Sequence, residues 1–199
     1  MSEANEERQG ERLSSRGVFA GRVIEVTVDR VRLPNGRETD MERVHFAGAA
    51  GVLPIVDGAD GPRVVLVRQY RYCVGGWIYE IPAGKLDRPD EEPADCARRE
   101  LAEETGYEAG ELVPLGGVWS TPGATDEKVW LFAATGLAEP AAGALDDDEV
   151  LAVVHLPLAA AVRMAVEGEI DDAKTVCALL RWGCSNLPPP QDAVPARGA

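Results

Sequence analysis

From Gly17 onward, β-branched and polar residues alternate through VFAGRVIEVTVDRVRLPNGRETDMERVHF. A period of two predicts half-buried strands, here at Val23–Val28, Arg30–Leu33 and Met41–Phe46, with Pro34-Asn35-Gly36 as a turn. Together they predict an antiparallel meander. Two denser apolar runs follow, AGAAGVLPIVD and RVVLVRQYRY, split by the turn-forming Gly58-Ala59-Asp60-Gly61-Pro62, and a hairpin is the economical arrangement. Trp77–Pro82 is a short strand that delivers the chain into Ala83-Gly84. A helix is predicted from Pro93, a good first helical residue, to Gly106, a good terminator. Strands over ELVPLGGVWS and KVWLFAATGL flank the turn Thr121-Pro122-Gly123, and Glu149–Leu156 is a last strand. Helices over Leu158–Glu167 and from Asp171 to about Trp182 are separated by Gly168.

The ends carry little to bury. Residues 1–15 are rich in Glu, Arg and Ser and are expected to be a disordered tail, and NLPPPQDAVPARGA, residues 186–199, to be loose. The expected organisation is a tail over 1–15, an N-terminal β extension over 16–47 suited to dimerisation, a main domain over 48–186 and a flexible tail over 187–199.

Composition narrows the partners. Of 199 residues, 45% are hydrophobic and 27% charged, enough for one sizeable core. A formal charge of −14 argues against a nucleic-acid backbone or an anionic membrane, both of which need Lys and Arg. It leaves room for a phosphorylated small molecule held locally by a few arginines and by divalent cations. Four cysteines without a C-x-x-C pair and two histidines give poor support for zinc or for a disulfide framework. The polar start and the lack of a long apolar run point to a cytoplasmic, thiol-reducing setting.

The candidate chemistry lies in Gly84–Tyr107. Glu100, Glu103 and Glu104 stand at i, i+3 and i+4 of the predicted helix, beside an apolar stripe of Ala94, Ala97 and Leu101 that docks it. The carboxylates are expected to point together into the space bordered by the Gly84 loop. Like charges so placed cost about 0.2–0.5 kcal/mol per pair, so a cation is expected among them.

This stretch resembles the Nudix box, G-x5-E-x7-R-E-U-x-E-E-x-G-U with U apolar. Arg99-Glu100-Leu101-Ala102-Glu103-Glu104-Thr105-Gly106-Tyr107 matches its second half residue for residue. Counting back places its first glutamate at Glu91, six residues after Gly84 instead of five. The resemblance implies an α+β Nudix fold, an α/β/α sandwich with a mixed central sheet, carrying here the N-terminal antiparallel β extension. It also implies Mg²⁺, with Mn²⁺ as an alternative, at two or three ions per site. Glu100 and Glu104 would be the central ligands, Glu103 a ligand, a support for one or a catalytic group, and the Ala83 carbonyl a further donor. Arg99 would pair with Glu91, and Gly106 would end the helix.

Arg68-Gln69-Tyr70-Arg71, Glu80-Ile81-Pro82-Ala83-Gly84, Pro122-Gly123 with Thr125-Asp126-Glu127, and Gly168-Glu169-Ile170-Asp171-Asp172-Ala173-Lys174-Thr175 are similar to the ADP-ribose pyrophosphatase branch. That branch implies hydrolysis of ADP-ribose to AMP and ribose 5-phosphate by a homodimer with exchanged N-terminal strands. The proton of the attacking water would go to the acidic loop Asp146–Glu149, through Asp147 or Glu149; Glu149 is also a candidate ligand. Arg71 is the candidate for a substrate phosphate, Glu80 for the adenine or terminal ribose, and Gly84, Pro122 and Gly123 for contacts around the substrate. Phe46, Tyr70 and Trp119 are available to stack on adenine, although strand aromatics more often pack in a core; Trp130 and Trp182 are expected to pack, and Cys96 to be a buried neutral thiol. Two other functions fit the same box: hydrolysis of another nucleoside diphosphate sugar or a dinucleotide, or a non-catalytic metabolite-binding module. Three clustered carboxylates speak against the last.

Overall fold

The computed structural model describes residues 9–86, 88, 90–138 and 151–186. The chain divides at Gly48/Ala49, Val118/Trp119 and Lys128/Val129 into two compact units.

The first unit is a three-stranded antiparallel sheet, β1 (Glu11–Ala20), β2 (Glu25–Arg32) and β3 (Glu38–His45), in that order. The meander is present, with three corrections. The strands expected at Val23–Val28 and Arg30–Leu33 are one strand. Asp29, which interrupts the apolar alternation, is buried and accepts a hydrogen bond from Ser15 Oγ at 2.5 Å. That bond holds its carboxyl below the usual range against the opposing effect of burial. Next, β1 begins at Glu11, inside the stretch expected to be a tail. Nine of its ten residues are exposed, so no burial pattern marks it. Backbone pairing with β2 from Glu11↔Arg32 to Ala20↔Glu25 makes the strand. Finally, Trp119–Lys128 belongs to this unit and not to the main domain. Val44 N–H donates to Ala124 O at 2.9 Å and Asp126 N–H to Val44 O at 3.3 Å, which lays the segment along the end of β3.

The second unit contains β4 (Ala49–Val56), β5 (Arg63–Arg71), β6 (Gly76–Glu80), β7 (Ala83–Lys85), α1 (Pro93–Thr105), β8 (Glu111–Trp119) up to Val118, β9 (Lys128–Thr135) from Val129, β10 (Leu151–Pro157), α2 (Leu158–Glu167) and α3 (Ala173–Asn186). Its sheet runs β10-β5-β4-β9-β8, with β6 added to β5 and β7 to β4. The β4–β9 pair is parallel, while β10–β5, β4–β5, β4–β7 and β5–β6 are antiparallel. The sheet is therefore mixed.

Alternation along the strands feeds two cores. Ala50 and Val52 of β4 and Ala134 of β9 pack with Cys96, Ala97 and Leu101 of α1. Leu53, Val64, Leu66 and Leu131 pack with Leu158 and Ala161 of α2 and Ala178 and Leu179 of α3. Helices thus cover both faces, giving the α/β/α sandwich of an α+β fold. Each fully buried Leu or Val contributes about 1.5–3 kcal/mol, and burial on both faces is why β5 reads as a nearly continuous apolar run. β4 changes partners along its length. Ile55 and Val56 pair with β5, whereas Ala49–Gly51 pair with β7, and this places Gly84 opposite Ala50 on the side of the sheet that α1 covers.

Candidate active site

Local signals set α1. Pro93 occupies its first turn, and Gly106, at φ 75°, closes it with its N–H donating to Ala102 O. Cys96, Ala97 and Leu101 seat the helix on the sheet. The three carboxylates are not equivalent, which corrects the expectation of one open-facing row. Glu104 is 8% exposed, the Glu100 side chain 12% and the Glu103 side chain 44%. Helical spacing sets their angular order, but the depth of the sheet contact decides which are covered.

Arg99 is the cation among them. Its Nε donates to Glu91 Oε1 at 3.0 Å and its Nη2 to Glu91 Oε2 at 3.2 Å. Nη1 donates to Glu103 Oε2 at 2.9 Å and also to Glu100 Oε1, and Nη2 reaches Lys85 O at 3.2 Å. Just ahead of the helix, Glu91 N–H donates to Arg88 O, and Asp90 lies in the left-handed region at φ 56°, a conformation aspartate tolerates. The Arg99 hydrogen bonds, opposed by burial, hold the Glu91 carboxyl below its usual range; the same fork pushes the arginine upward.

Gly84 meets this helix at closest range. A Cβ built there would lie 1.8 Å from Glu100 Oε1 and 2.1 Å from its Cδ. The Glu100 carboxylate therefore occupies the space a side chain would take. Cys96 Sγ donates to Lys85 O at 3.4 Å, and burial pushes this thiol up to about 11, so it is a neutral packing group.

Among the described residues, no group of three His, Cys, Asp or Glu side chains is gathered around a common point for a metal ion, because Arg99 draws Glu91, Glu100 and Glu103 onto itself. The donor chemistry nevertheless fits a hard divalent cation: carboxylate oxygens of Glu100 and Glu104 one helical turn apart, both largely withdrawn from water, beside the backbone of β7.

A second polar cluster ties β5 and β6 to α3. Arg71 Nε donates to Glu80 Oε2 at 2.7 Å, and Lys174 Nζ donates to Glu80 Oε1 at 2.5 Å. The Glu80 side chain is 3% exposed. Its two oxygens hold Arg71 and Lys174. Arg71 itself is 43% exposed. Lys174 and Asp172 were visible in the sequence only as part of a resemblance; D-x-x-T ahead of an apolar run, a helix N-cap pattern, is the signal that marks Asp172.

Phe46, Pro122 and Gly123 belong to the first unit. There Asp126 accepts from Phe46 N–H at 3.0 Å and lies 2.6 Å from His45 Nδ1. Burial pushes the Asp126 carboxyl up, but His45 and the Phe46 N–H hold it below the usual range. Tyr70 and Trp119 are 46% and 56% exposed, so neither is a core residue; Lys128 stands 5.4 Å from the Trp119 ring. Trp130 and Trp182 do pack against the cores, and Arg68 lies over Trp77. Asp146–Glu149, with the candidate bases Asp147 and Glu149, lies outside the described residues.

A sandwich whose glycine-backed, arginine-anchored acidic helix sits on a mixed sheet defines a class, and the chain belongs to it: residues 45–179 match the NUDIX domain family, and the protein is a Nudix hydrolase. Within that family it is similar to the ADP-ribose pyrophosphatase of Bacillus subtilis (strain 168), at 39% identity over 81% of this chain and 86% of the relative. It is also similar to the methanol dehydrogenase activator of Bacillus methanolicus, at 42% over the same shares. A GDP-mannose pyrophosphatase of Citrobacter koseri is 35% identical over 81% of this chain and 87% of the relative. A solved structure described as an ADP compounds hydrolase superposes with a TM-score of 0.74 at 25% identity, covering 89% of this chain and 96% of that one. Nudix hydrolases are in general dependent on divalent metal ions.

Proposed function

We propose that this protein hydrolyses the diphosphate bond of ADP-ribose, or of a closely similar nucleoside diphosphate sugar, and releases AMP and ribose 5-phosphate. The observation that carries the reading is the seating of the Glu100 carboxylate on the bare Cα of Gly84, with Glu104 buried one turn further along. That arrangement stations paired carboxylates against backbone, where a diphosphate can share their cations. Glu100 and Glu104, with Glu103 and the Ala83 carbonyl, would hold two or three Mg²⁺ or Mn²⁺ ions, which when bound neutralise the diphosphate and activate water. Arg99, anchored on Glu91, balances the carboxylates before the cations arrive and retains its hold on the loop afterwards. Arg71 contributes a guanidinium suited to phosphate oxygens. Asp147 or Glu149 takes the proton of the attacking water.

The working form is a cytoplasmic homodimer. Support for association comes from the N-terminal sheet, where Val18, Phe19 and Met41 are all about half exposed, apolar surface that a second chain would cover. The names of the relatives favour a nucleoside diphosphate sugar, and two of them differ in base and sugar.

The test is to incubate the purified protein with Mg²⁺ and a panel of ADP-ribose, other ADP-sugars, GDP-mannose and dinucleoside polyphosphates, and to follow nucleoside monophosphate release. ADP-ribose is expected among the best substrates. Preference for GDP-mannose or a dinucleotide would overturn the substrate assignment, and no turnover of any diphosphate would overturn the reading itself.

A further inference from the structure

Between Glu80 and Ala83 the chain changes strands. The ladder of β6 with β5 ends at Val67↔Glu80, and that of β7 with β4 begins at Gly51↔Ala83. Only Ile81 and Pro82 lie between. Proline has no N–H, so the Ile81 N–H is the single backbone donor of this crossing, and a buried donor has to be met. It is met from outside the sheet. Ile81 N–H donates to Thr175 Oγ1 at 2.8 Å, a contact that spans 94 residues of chain, and both residues are buried.

The Thr175 hydroxyl is itself fixed. It donates to Asp172 Oδ2 at 2.6 Å, and the same oxygen accepts the Thr175 N–H at 3.0 Å as the cap of α3. With its one proton committed to Asp172, Oγ1 turns a lone pair to Ile81. The Ile81 side chain is held as well: a Cβ on Gly51 would lie 2.9 Å from Ile81 Cδ1, so this side chain packs directly on the β4 backbone. Beyond it, the Pro82 carbonyl accepts the Val52 N–H at 2.9 Å. The chain then supplies the Ala83 carbonyl and the bare Cα of Gly84 on which the Glu100 carboxylate sits.

We propose that Thr175, held by Asp172, is a positioning residue for the metal platform: its hydroxyl anchors Ile81 at the strand crossing and thereby sets the Ala83-Gly84 backbone against Glu100. The inference rests on the functional reading above for the role of the cations, but the position of this backbone is measurable without metal or substrate. Thr175→Val keeps the outline of the side chain, removes the acceptor and leaves the Ile81 N–H without a partner. Thr175→Ser restores the hydroxyl.

The experiment compares wild type, Thr175→Val, Thr175→Ser and Leu158→Ala, the last opening the same core from α2 without touching these bonds. Asp172→Asn, which keeps an oxygen for the cap, is read in the same way should Thr175→Val fail to fold. In the metal-free protein, the NMR amide resonances of Ala83 and Gly84 are expected to shift in Thr175→Val, to return toward wild type in Thr175→Ser and to stay in place in Leu158→Ala. Affinity for Mn²⁺ alone, read by electron paramagnetic resonance, is expected to fall about tenfold in Thr175→Val, the size typical of groups that orient a ligand, and to recover in Thr175→Ser. Unmoved Ala83 and Gly84 resonances, an Mn²⁺ affinity that Thr175→Val leaves unchanged or Thr175→Ser does not restore, or an equal loss in Leu158→Ala overturns the proposal. If the wild type binds no Mn²⁺, the functional reading falls, and the Ala83 and Gly84 resonances still decide whether Thr175 sets this backbone.

Discussion

The contact between Gly84 and Glu100 makes the sharpest prediction. Gly84 is not in the left-handed region, so alanine adopts its backbone without strain. A Gly84→Ala Cβ would stand 1.8 Å from Glu100 Oε1. To reach an ordinary 3.4 Å contact, the carboxylate must retreat by about 1.6 Å. It is the far end of a flexible side chain, so the fold can yield. The main loss is the charged hydrogen bond from Arg99, of order 1.5–3 kcal/mol. Arg99 keeps Glu91 and Glu103, which leaves a net destabilisation of about 1–2 kcal/mol, or about 2–8 °C in Tm for a chain of this size. Activity should suffer far more, because displacing a reacting group by about 1 Å can cost 100-fold. The assay is AMP release at saturating ADP-ribose and Mg²⁺ alongside a thermal melt, with Gly76→Ala as the control, since a Cβ there meets nothing within 4 Å. A kcat for Gly84→Ala within threefold of wild type would refute the idea that the seat of Glu100 matters to the chemistry.

Further outcomes follow from the same site. Glu104→Gln, which keeps shape and removes charge at an 8% exposed position, is expected to lower kcat by about 1,000-fold with the melt nearly unchanged; retained turnover would remove Glu104 from the ligand set. Glu91 has its folded-state carboxyl below the ordinary 4.5, so its stabilising effect is complete above that pH and is lost as pH falls through the lower folded value. Glu91→Gln should therefore be less stable than wild type at neutral pH and converge with it in strong acid; urea midpoints separated by the same amount at both pH values would contradict the assignment. Asp147→Asn and Glu149→Gln should differ at least tenfold in kcat, since one carboxylate takes the proton, and equal small effects would place the base elsewhere.

Much of the second unit was legible because its signals are local. Pro93 and Gly106 bound α1 at the expected residues, Leu158–Glu167 is the expected helix, and the apolar runs on either side of Asp57–Pro62 pair as a hairpin. Each rests on turn chemistry or on a period that burial enforces. β1 shows the opposite case. Nine of its ten residues are exposed, and only the ladder with β2 makes it a strand. No periodicity records such a pairing.

The acidic helix divides along the same line. By itself the sequence determined that Glu100, Glu103 and Glu104 share one side of a helix that ends at Gly106, because helical geometry needs nothing beyond spacing. Only the tertiary structure decided that Glu104 and Glu100 are covered while Glu103 is not, that Arg99 gathers Glu91, Glu100 and Glu103, and that the space above Gly84 belongs to the Glu100 carboxylate. The same holds for Glu80, whose partner Lys174 lies 94 residues away. Burial and charge pairing are set by which elements the sheet brings together, and a buried carboxylate takes whichever cations that packing supplies.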